Sequence, residues 1–491
     1  MKRIPGRFWM ALLAAAALGA RPAAAEDVKF PDTEPGRHAR EFFAAYNADE
    51  ATMRAFYAGN IAAEDLKART PGQRLEVWRQ LRGEQGQLTP MRVLGAGEDF
   101  VAVQARNARG EALTLRFHCR AEPPHPLVGI QVEASEDTGG PPAGAAPAGP
   151  PPTDAQIVAA LAGQLDSLSR AGAFSGVAVL DKNGTALFAR AYGMASREAR
   201  RPNTLDTRFD LGSINKIFTT VAVYQLARQG RLGLDDPIAR HLPDYPAEAA
   251  GKITVRMLLE HRAGVPDVLR SPELWKDPLQ VRTAADWYRL VRDLPLEFEP
   301  GTRQQYSNGG FVLLGMIVQR VSGEDYYDYI RRHVYGPAGM AHTDHYEGDR
   351  LPEDVAVRYS RDGGEPAVGA GNAAGPQPVR VQLGRGSAAG GGHSTAGDLV
   401  RFARALRDHR LLDSTDTEAL IGPGAGLGIA GGSPGVNALL ELSGPYTLVV
   451  LANLDPPAAE VVGRGAGRLV RRAGGTGRPG GQVRRVGAGR P

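Results

Sequence analysis

A run rich in proline, glycine and alanine, residues 137–153, divides the chain into two parts of unequal length. A stretch of this composition has too few apolar side chains to join a packed core, so it is read as a linker. The chain has 491 residues, which is enough for more than one core. The sequence therefore predicts a small domain over residues 26–136 and a larger one over residues 154–473.

The two ends of the chain carry its basic character. Residues 1–25 contain four basic residues and no acidic one, and residues 461–491 contain eight arginines and no acidic one. The formal net charge of +4 therefore comes from the ends, and the remainder is acidic on balance. This distribution argues against a nucleic-acid-binding protein. The Gly- and Arg-rich residues 474–491 are predicted to be disordered.

The first 25 residues have the pattern of a cleavable secretory signal peptide. A basic start precedes an apolar run over residues 9–19, and three alanines at residues 23–25 form a cleavage site of small residues. The apolar run is too short to span a bilayer comfortably, although an uncleaved N-terminal anchor is the alternative. We expect a periplasmic or secreted protein with no transmembrane segment in the mature chain.

The small domain is predicted to combine helices with an antiparallel sheet. Residues 36–85 have a mostly helical pattern, whereas alternation of apolar and polar residues begins at Met91. Strands are predicted over residues 100–103, 112–117 and 128–132. This order resembles the nuclear-transport-factor-2-like or cystatin-like α+β domains. The single cysteine, Cys119, lies in the predicted sheet and is expected to be a buried, inert thiol.

The large domain is also predicted to be α+β. The expected elements are a helix over residues 155–171, a hairpin over 176–193, helices over 213–345, strands over 436–442 and 447–451, and a helix over 456–473. Strands at both ends with helices between them predict an antiparallel sheet assembled from distant segments and packed against a helical lobe.

Ser213 and Lys216 form the only S-x-x-K pattern in the chain, at the predicted entrance to a helix. Residues three apart on a helix share a face, so the lysine amine can reach the serine hydroxyl. A serine hydroxyl is a weak nucleophile until a neighbouring base takes its proton. The pair is also common on ordinary helix surfaces, so it needs support from elsewhere in the chain.

That support comes from Tyr306 and Asn308, the only Y-x-N pattern in the chain. A phenol beside an ammonium group can ionise well below its usual pKa, so Tyr306 is a second candidate to accept the Ser213 proton. The Asn308 amide is a candidate donor to a substrate carbonyl. As an alternative, the Y-S-N-G-G sequence forms a turn before a helix, with the asparagine as its cap.

These two motifs, together with blocks at residues 253–265, 335–340 and 389–399, resemble the serine β-lactamase-like hydrolases. That family includes class C β-lactamases, D-alanyl-D-alanine carboxypeptidases, D-aminopeptidases and esterases. The resemblance implies a β-lactamase/transpeptidase-like fold and an acyl-enzyme formed on Ser213 from an amide or ester. Lys216 and Tyr306 would share the proton transfers, and either can be the resting base.

The third motif of the family is Lys or His, any residue, then Gly, and the matching position here is Ile429. By resemblance, Gly431 and Gly432 remain, and the Gly432 N–H would pair with the Ser213 N–H as an oxyanion hole. The side chain that would meet a substrate carboxylate is missing. This departure favours an esterase or peptidase over a β-lactamase or D-alanyl-D-alanine carboxypeptidase.

Two histidines stand near these blocks. His393 is expected to line the site and to replace part of the missing polar group, whereas His261 matches a family position that is structural. The ten histidines are scattered, so neither a metal site nor a cofactor is predicted.

Three interpretations therefore stand. The first is a secreted serine hydrolase acting on a small ester, amide or peptide. The second is a non-catalytic member of the fold that binds peptidoglycan fragments or a protein partner. The third is a hydrolase regulated through its N-terminal domain. The sequence leaves the oligomeric state open.

Overall fold

The computed structural model describes residues 28–62, 65–66, 70–97, 99–108, 110, 112–120, 125–134, 150–361, 376–421, 426–475 and 484–485. Two compact units divide the chain, Met1–Ala145 and Ala146–Pro491. The signal-peptide prediction and the linker prediction up to residue 149 lie outside the described residues. No helix of the described part is both long and apolar enough to cross a membrane.

Within its described residues, the first unit places helices beside a four-stranded antiparallel sheet. Its elements are α1 (Glu34–Asn47), α2 (Glu50–Asn60), α3 (Pro71–Gln85), β1 (Thr89–Ala96), β2 (Phe100–Arg106), β3 (Ala112–Cys119) and β4 (Leu127–Ala134). The strands pair antiparallel in chain order. Phe42 of α1 packs its ring against Phe117 of β3 and Phe56 of α2, which joins the helices to the sheet. Burial raises the pKa of the Cys119 thiol to about 11, which agrees with the expected inert cysteine.

Helices make up much of the described part of the second unit. Its helices are α4 (Asp154–Arg170), α5 (Lys216–Arg228), α6 (Ala247–Ala250), α7 (Val255–Leu259), α8 (Pro272–Lys276), α9 (Ala284–Arg292), α10 (Asn308–Ser322), α11 (Tyr326–Ile330), α12 (Gly336–Ala338), α13 (Ala396–Arg407), α14 (Ser414–Ile421), α15 (Ala458–Arg464) and α16 (Ala466–Ala473). The single helix expected over residues 456–473 is therefore two helices, because the chain bends at Gly465, where α15 ends and α16 begins.

The strands of the second unit come from both ends of its sequence. They are β5 (Gly176–Lys182), β6 (Thr185–Tyr192), β7 (Met194–Ser196), β8 (Arg201–Pro202), β9 (Phe209–Asp210), β10 (Tyr359–Ser360), β11 (Gln377–Pro378), β12 (His393–Ser394), β13 (Leu427–Ser433), β14 (Val436–Ser443), β15 (Tyr446–Ala452) and β16 (Arg484–Arg485). The main sheet has the order β16-β13-β14-β15-β5-β6. Its strands pair antiparallel, except that β16 runs parallel to β13.

The main sheet is covered on both faces. Leu440 and Leu442 of β14 face a hydrophobic core that the sheet forms together with the helical lobe. Leu439, the residue before Leu440 on the strand, faces a second core with α4 and α15. Because neighbouring residues on a strand point to opposite faces, β14 is buried along its whole length, including its polar residues Asn437, Glu441 and Ser443. The antiparallel sheet and helical lobe predicted from the sequence are therefore confirmed.

Most of the predicted tail, residues 474–491, lies outside the described part. Within it, Arg484–Arg485 pairs with Leu427 and Gly428 at the start of β13. The predicted disorder of the remaining tail residues stays a prediction.

Candidate active site

Ser213 lies where the chain turns from strand β9 into helix α5. A 3-10 turn over Gly212–Asn215 precedes the α-helix, which begins at Lys216. The Gly212 N–H donates to the Asp210 carboxylate at 2.8 Å, and the turn has a left-handed Gly212 with φ of 48°. A side chain there would also approach the Gly432 nitrogen to 2.9 Å. Glycine is therefore required immediately before the serine.

Lys216 is fully buried beneath the serine. Its Nζ atom lies 3.1 Å from Ser213 Oγ, 2.7 Å from Asn308 Oδ1 and 2.6 Å from the Ala389 carbonyl oxygen. The amine also lies 4.8 Å from the centre of the Tyr306 ring. The predicted serine and lysine are thus in direct contact, and the lysine has no described partner that is a carboxylate.

Burial lowers the pKa of Lys216 to about 7, although the charge of Asp267 acts in the opposite direction. A neutral amine has two N–H donors and one lone pair. The oxygens of Asn308 and Ala389 can only accept, so they take the two donors. The lone pair is then left for Ser213, whose hydroxyl can donate. The neutral lysine is therefore oriented as a base toward the serine.

Tyr306 also contacts the serine. Its hydroxyl lies 2.6 Å from Ser213 Oγ and 3.2 Å from Asn308 Oδ1, to which it can donate. Burial raises the pKa of Tyr306, and the hydrogen bond with Ser213 only partly offsets this effect. The phenolate suggested from the sequence is therefore not the form that this resting site favours, because burial and the charge of Asp267 outweigh the hydrogen bond with Ser213.

Asn308 is the first residue of helix α10, and both ends of its side-chain amide contact other residues of the site. The amide nitrogen donates to the Asp267 carboxylate at 2.9 and 3.1 Å, while its oxygen accepts from Lys216 and Tyr306. Donation to a substrate carbonyl was expected from the sequence, but in this structure the nitrogen is already engaged with a carboxylate. The role of the asparagine toward a substrate stays a prediction.

Sequence reasoning missed Asp267 and Ala389. Asp267 comes two residues after the block at residues 253–265, which is the signal that could have identified it. Ala389 contributes only a backbone oxygen, which no residue pattern reveals. It does, however, open the predicted block at residues 389–399.

Gly431 and Gly432 lie against the turn that carries the serine. A Cβ atom on Gly431 would lie 2.0 Å from the Leu211 carbonyl oxygen and 3.0 Å from the Ser213 nitrogen. The Gly432 nitrogen in turn lies close to Gly212, as described above. The backbone N–H groups named from the sequence as an oxyanion hole are thus on adjacent segments, and they remain predicted ligands of an oxyanion.

Ile429, two residues before Gly431, is fully buried in the core beneath the helical lobe. Strand residues two apart share a face, so this side chain points toward the same side as the Gly431 contact with the serine turn. The face of β13 that a charged family residue would occupy is therefore filled here by an aliphatic side chain.

The two histidines differ in position. His261 packs its ring 4.6 Å from Tyr306, and its Nδ1 accepts the Ser307 N–H at 3.3 Å. Burial and the nearby lysine lower the pKa of His261 to about 3, so it stays neutral and supports the tyrosine by packing. His393 is buried on β12, beside β9, with its ring 6.0 Å from Tyr346. Its role in lining the site stays a prediction.

Within the described residues, no group of three or more His, Cys, Asp or Glu side chains is arranged to hold a metal ion.

Comparison with known proteins gives a consistent result. A family model described as Beta-lactamase matches residues 156–471, which is more than half of the chain. A putative penicillin-binding protein, PbpX, of Bacillus subtilis strain 168 is 28% identical over 300 residues, covering 57% of this chain and 71% of that protein.

Two solved structures extend the comparison. A penicillin-binding protein from Bacillus halodurans has a TM-score of 0.55 at 29% identity, covering 61% of this chain and 97% of that one. The D-amino acid amidase from Ochrobactrum anthropi SV3, complexed with D-phenylalanine, has a TM-score of 0.53 at 26% identity, covering 65% and 97%. The resemblance named from the two sequence motifs is confirmed by these matches.

The lowered pKa of Lys216 predicts that a fluorophosphonate modifies Ser213 faster as the pH rises through about 7. Below this pH the amine is protonated and has no lone pair, so the rate should fall about tenfold per pH unit. Intact-mass spectrometry at intervals after mixing gives the rate at each pH. A rate that stays constant across about two pH units on either side would contradict the base role of Lys216.

Gly431→Ala is expected to remove most of the reactivity of Ser213. The added Cβ would collide with the Leu211 carbonyl, so β13 must move away from the serine turn. We expect labelling to slow about a hundredfold, as for loss of an oxyanion donor. Gly163→Ala, in helix α4 with nothing within 4 Å of the new Cβ, is the matched control and should label normally. Normal labelling of both variants would exclude β13 from the site.

Proposed function

The chain belongs to the Beta-lactamase family, and from this premise we propose that residues 154–473 form a serine hydrolase acting through an acyl-enzyme on Ser213. The observation that carries the proposal is the contact of Ser213 Oγ with both Lys216 Nζ and the Tyr306 hydroxyl. A non-catalytic member of the fold has no need to keep a buried amine with its lone pair directed at a serine. We further propose that the protein is periplasmic or secreted.

Acylation begins with proton transfer from Ser213 to the neutral Lys216. The freed Oγ attacks the substrate carbonyl carbon. The N–H groups of Ser213 and Gly432 stabilise the negative charge that develops on the carbonyl oxygen. As the bond to the leaving group breaks, Tyr306 gives that group its proton. The products of this step are an acyl-serine, a protonated lysine, a tyrosinate and the free alcohol or amine.

Deacylation reverses these proton transfers. The tyrosinate of Tyr306 takes a proton from water, and the resulting hydroxide attacks the acyl carbonyl. When the tetrahedral intermediate collapses, Ser213 Oγ leaves and recovers a proton from Lys216. The enzyme returns with neutral lysine and neutral tyrosine, and the net reaction is addition of water across the ester or amide bond.

We propose an ester without a free carboxylate as the preferred substrate. β-Lactams and D-alanyl-D-alanine peptides carry a carboxylate, which the family usually meets with a Lys or His at the position of Ile429. An aliphatic side chain offers that group no opposite charge and no hydrogen bond, so binding it there would cost desolvation energy. The similarity to a D-amino acid amidase favours neutral amides as the second candidate class.

The first test of this proposal is covalent labelling. The purified protein is mixed with a fluorophosphonate, and its intact mass is measured. We expect one adduct on the wild-type chain and none on Ser213→Ala, with Ser322→Ala as the control because that serine is the last residue of helix α10, at the opposite end from the site. Its hydroxyl donates to the Gln319 carbonyl, so this variant is expected still to be labelled. An unlabelled wild type would favour the non-catalytic interpretation.

The second test is a substrate panel of short-chain p-nitrophenyl esters, a chromogenic β-lactam and D-phenylalanine amide. We expect the esters to have the highest kcat/KM and the β-lactam to have one at least about a hundredfold lower, the scale set by a missing hydrogen-bonding partner. Ser213→Ala supplies the background rate for each compound. The opposite ranking would refute the role given to Ile429.

The ester assay of this panel also tests the third interpretation, regulation through residues 26–136. Adding peptidoglycan fragments to the full chain should leave ester hydrolysis unchanged if the first unit has no regulatory role. A change in KM or kcat that appears only with those fragments would favour regulation.

A further inference from the structure

Asp267 and Asn308 form a bidentate contact behind the proposed catalytic residues. The Asn308 amide nitrogen lies 2.9 and 3.1 Å from the two carboxylate oxygens of Asp267. A carboxylate can only accept hydrogen bonds, so the end of the amide that faces it must be the nitrogen. The carboxylate therefore fixes the orientation of the Asn308 side-chain amide.

The opposite end of the same amide faces the proton-transfer groups. Asn308 Oδ1 lies 2.7 Å from Lys216 Nζ and 3.2 Å from the Tyr306 hydroxyl. If the amide turned over, its NH2 group would face the lysine amine and its oxygen would face the carboxylate. Both contacts would then be unfavourable, and the amine would lose one of its two acceptors.

The carboxylate is itself held in place. Asp267 caps the 3-10 turn Val268–Arg270, and its Oδ1 accepts the Leu269 N–H at 3.0 Å. A second anchor comes from the adjacent carbonyl, because the Pro266 oxygen accepts the Ser307 hydroxyl at 3.2 Å. The aspartate and the asparagine are thus fixed on neighbouring segments before any substrate binds.

We propose that Asp267 is a positioning residue that acts through Asn308: it orients the amide so that the lysine lone pair points at Ser213, and it holds a negative charge near the lysine. The proposal rests on the hydrolase function proposed above. Asp267 does not contact the serine, so it takes no proton and forms no bond during the reaction.

The charges around Lys216 give the aspartate its electrostatic role. The titratable groups that face the amine from the packed elements are Tyr306, His261 and Asp267. Tyr306 is neutral because burial raises its pKa, and His261 is neutral because burial lowers its pKa to about 3. Asp267 is then the one charged group among these described neighbours, and its charge favours the ammonium form of the lysine.

The test is the pH dependence of fluorophosphonate labelling in Asp267→Asn. The one oxygen of an asparagine can still accept from Leu269 and from Asn308, so the variant removes the charge and the second of the two contacts with Asn308. We expect the pH at half-maximal rate to move about one unit downward. Asp277→Asn is the matched control, because Asp277 is exposed, lies ten residues further along, and makes no side-chain cap.

A second variant reverses the sign of the expected shift. The exchange Asp267→Asn with Asn308→Asp keeps the total charge and the hydrogen bond between the two residues, but it moves the carboxylate next to Lys216. The half-maximal pH should then rise above that of the wild type. This variant also carries the test if thermal melting shows that Asp267→Asn alone does not fold.

The outcomes separate the two proposals. A wild-type chain that is never labelled removes the hydrolase function itself. A labelled wild type whose half-maximal pH is unchanged by Asp267→Asn, or changed equally by Asp277→Asn, overturns the role of Asp267 and leaves the hydrolase standing. A lower melting temperature without a pH shift also overturns that role, because it shows that Asp267 acts only as a structural cap.

Discussion

The site depends on the burial of one amine. Lys216 has no exposed surface, and burial lowers its pKa to about 7. Two carbonyl oxygens supply just enough acceptors for a neutral amine, and the serine supplies the remaining donor. An additional carboxylate in contact with Nζ would hold the lysine as an ammonium ion and remove its lone pair. Asp267 contacts the Asn308 amide and not the Lys216 amine, and this placement allows the lysine to keep its lone pair.

The backbone around the serine is equally constrained. Strand β13 passes so close to the serine turn that Gly212 and Gly431 have no room for side chains. The strand is held there by β14, which lies between it and β15 in the main sheet. Since β14 and β15 follow the helical lobe in sequence whereas β5 precedes it, the active site is complete only when both ends of this domain have paired. The catalytic geometry therefore depends on the pairing of the main sheet.

Much of this arrangement could be predicted from the sequence. The spacing of Ser213 and Lys216 places both on one face of a helix, and the apolar runs predict the strands at both ends. The protonation states could not be predicted, because they follow from burial, which no motif reveals. The sequence left open whether Tyr306 or Lys216 is the resting base, and burial, which raises the pKa of the Tyr306 phenol, favours the lysine. Ala389 was missed because a backbone oxygen has no sequence signature.

The replacement at position 429 also bears on the lysine. A cation on that face of β13 would lie near the serine turn and would oppose protonation of Lys216, lowering its pKa further. With Ile429 in that place, the charge of Asp267 opposes part of the effect of burial, which still lowers the pKa of Lys216 to about 7. In the function proposed above, this one strand position acts on both the recognition of a substrate carboxylate and the pKa of the base. Substrate preference and the pH range of activity are therefore expected to change together.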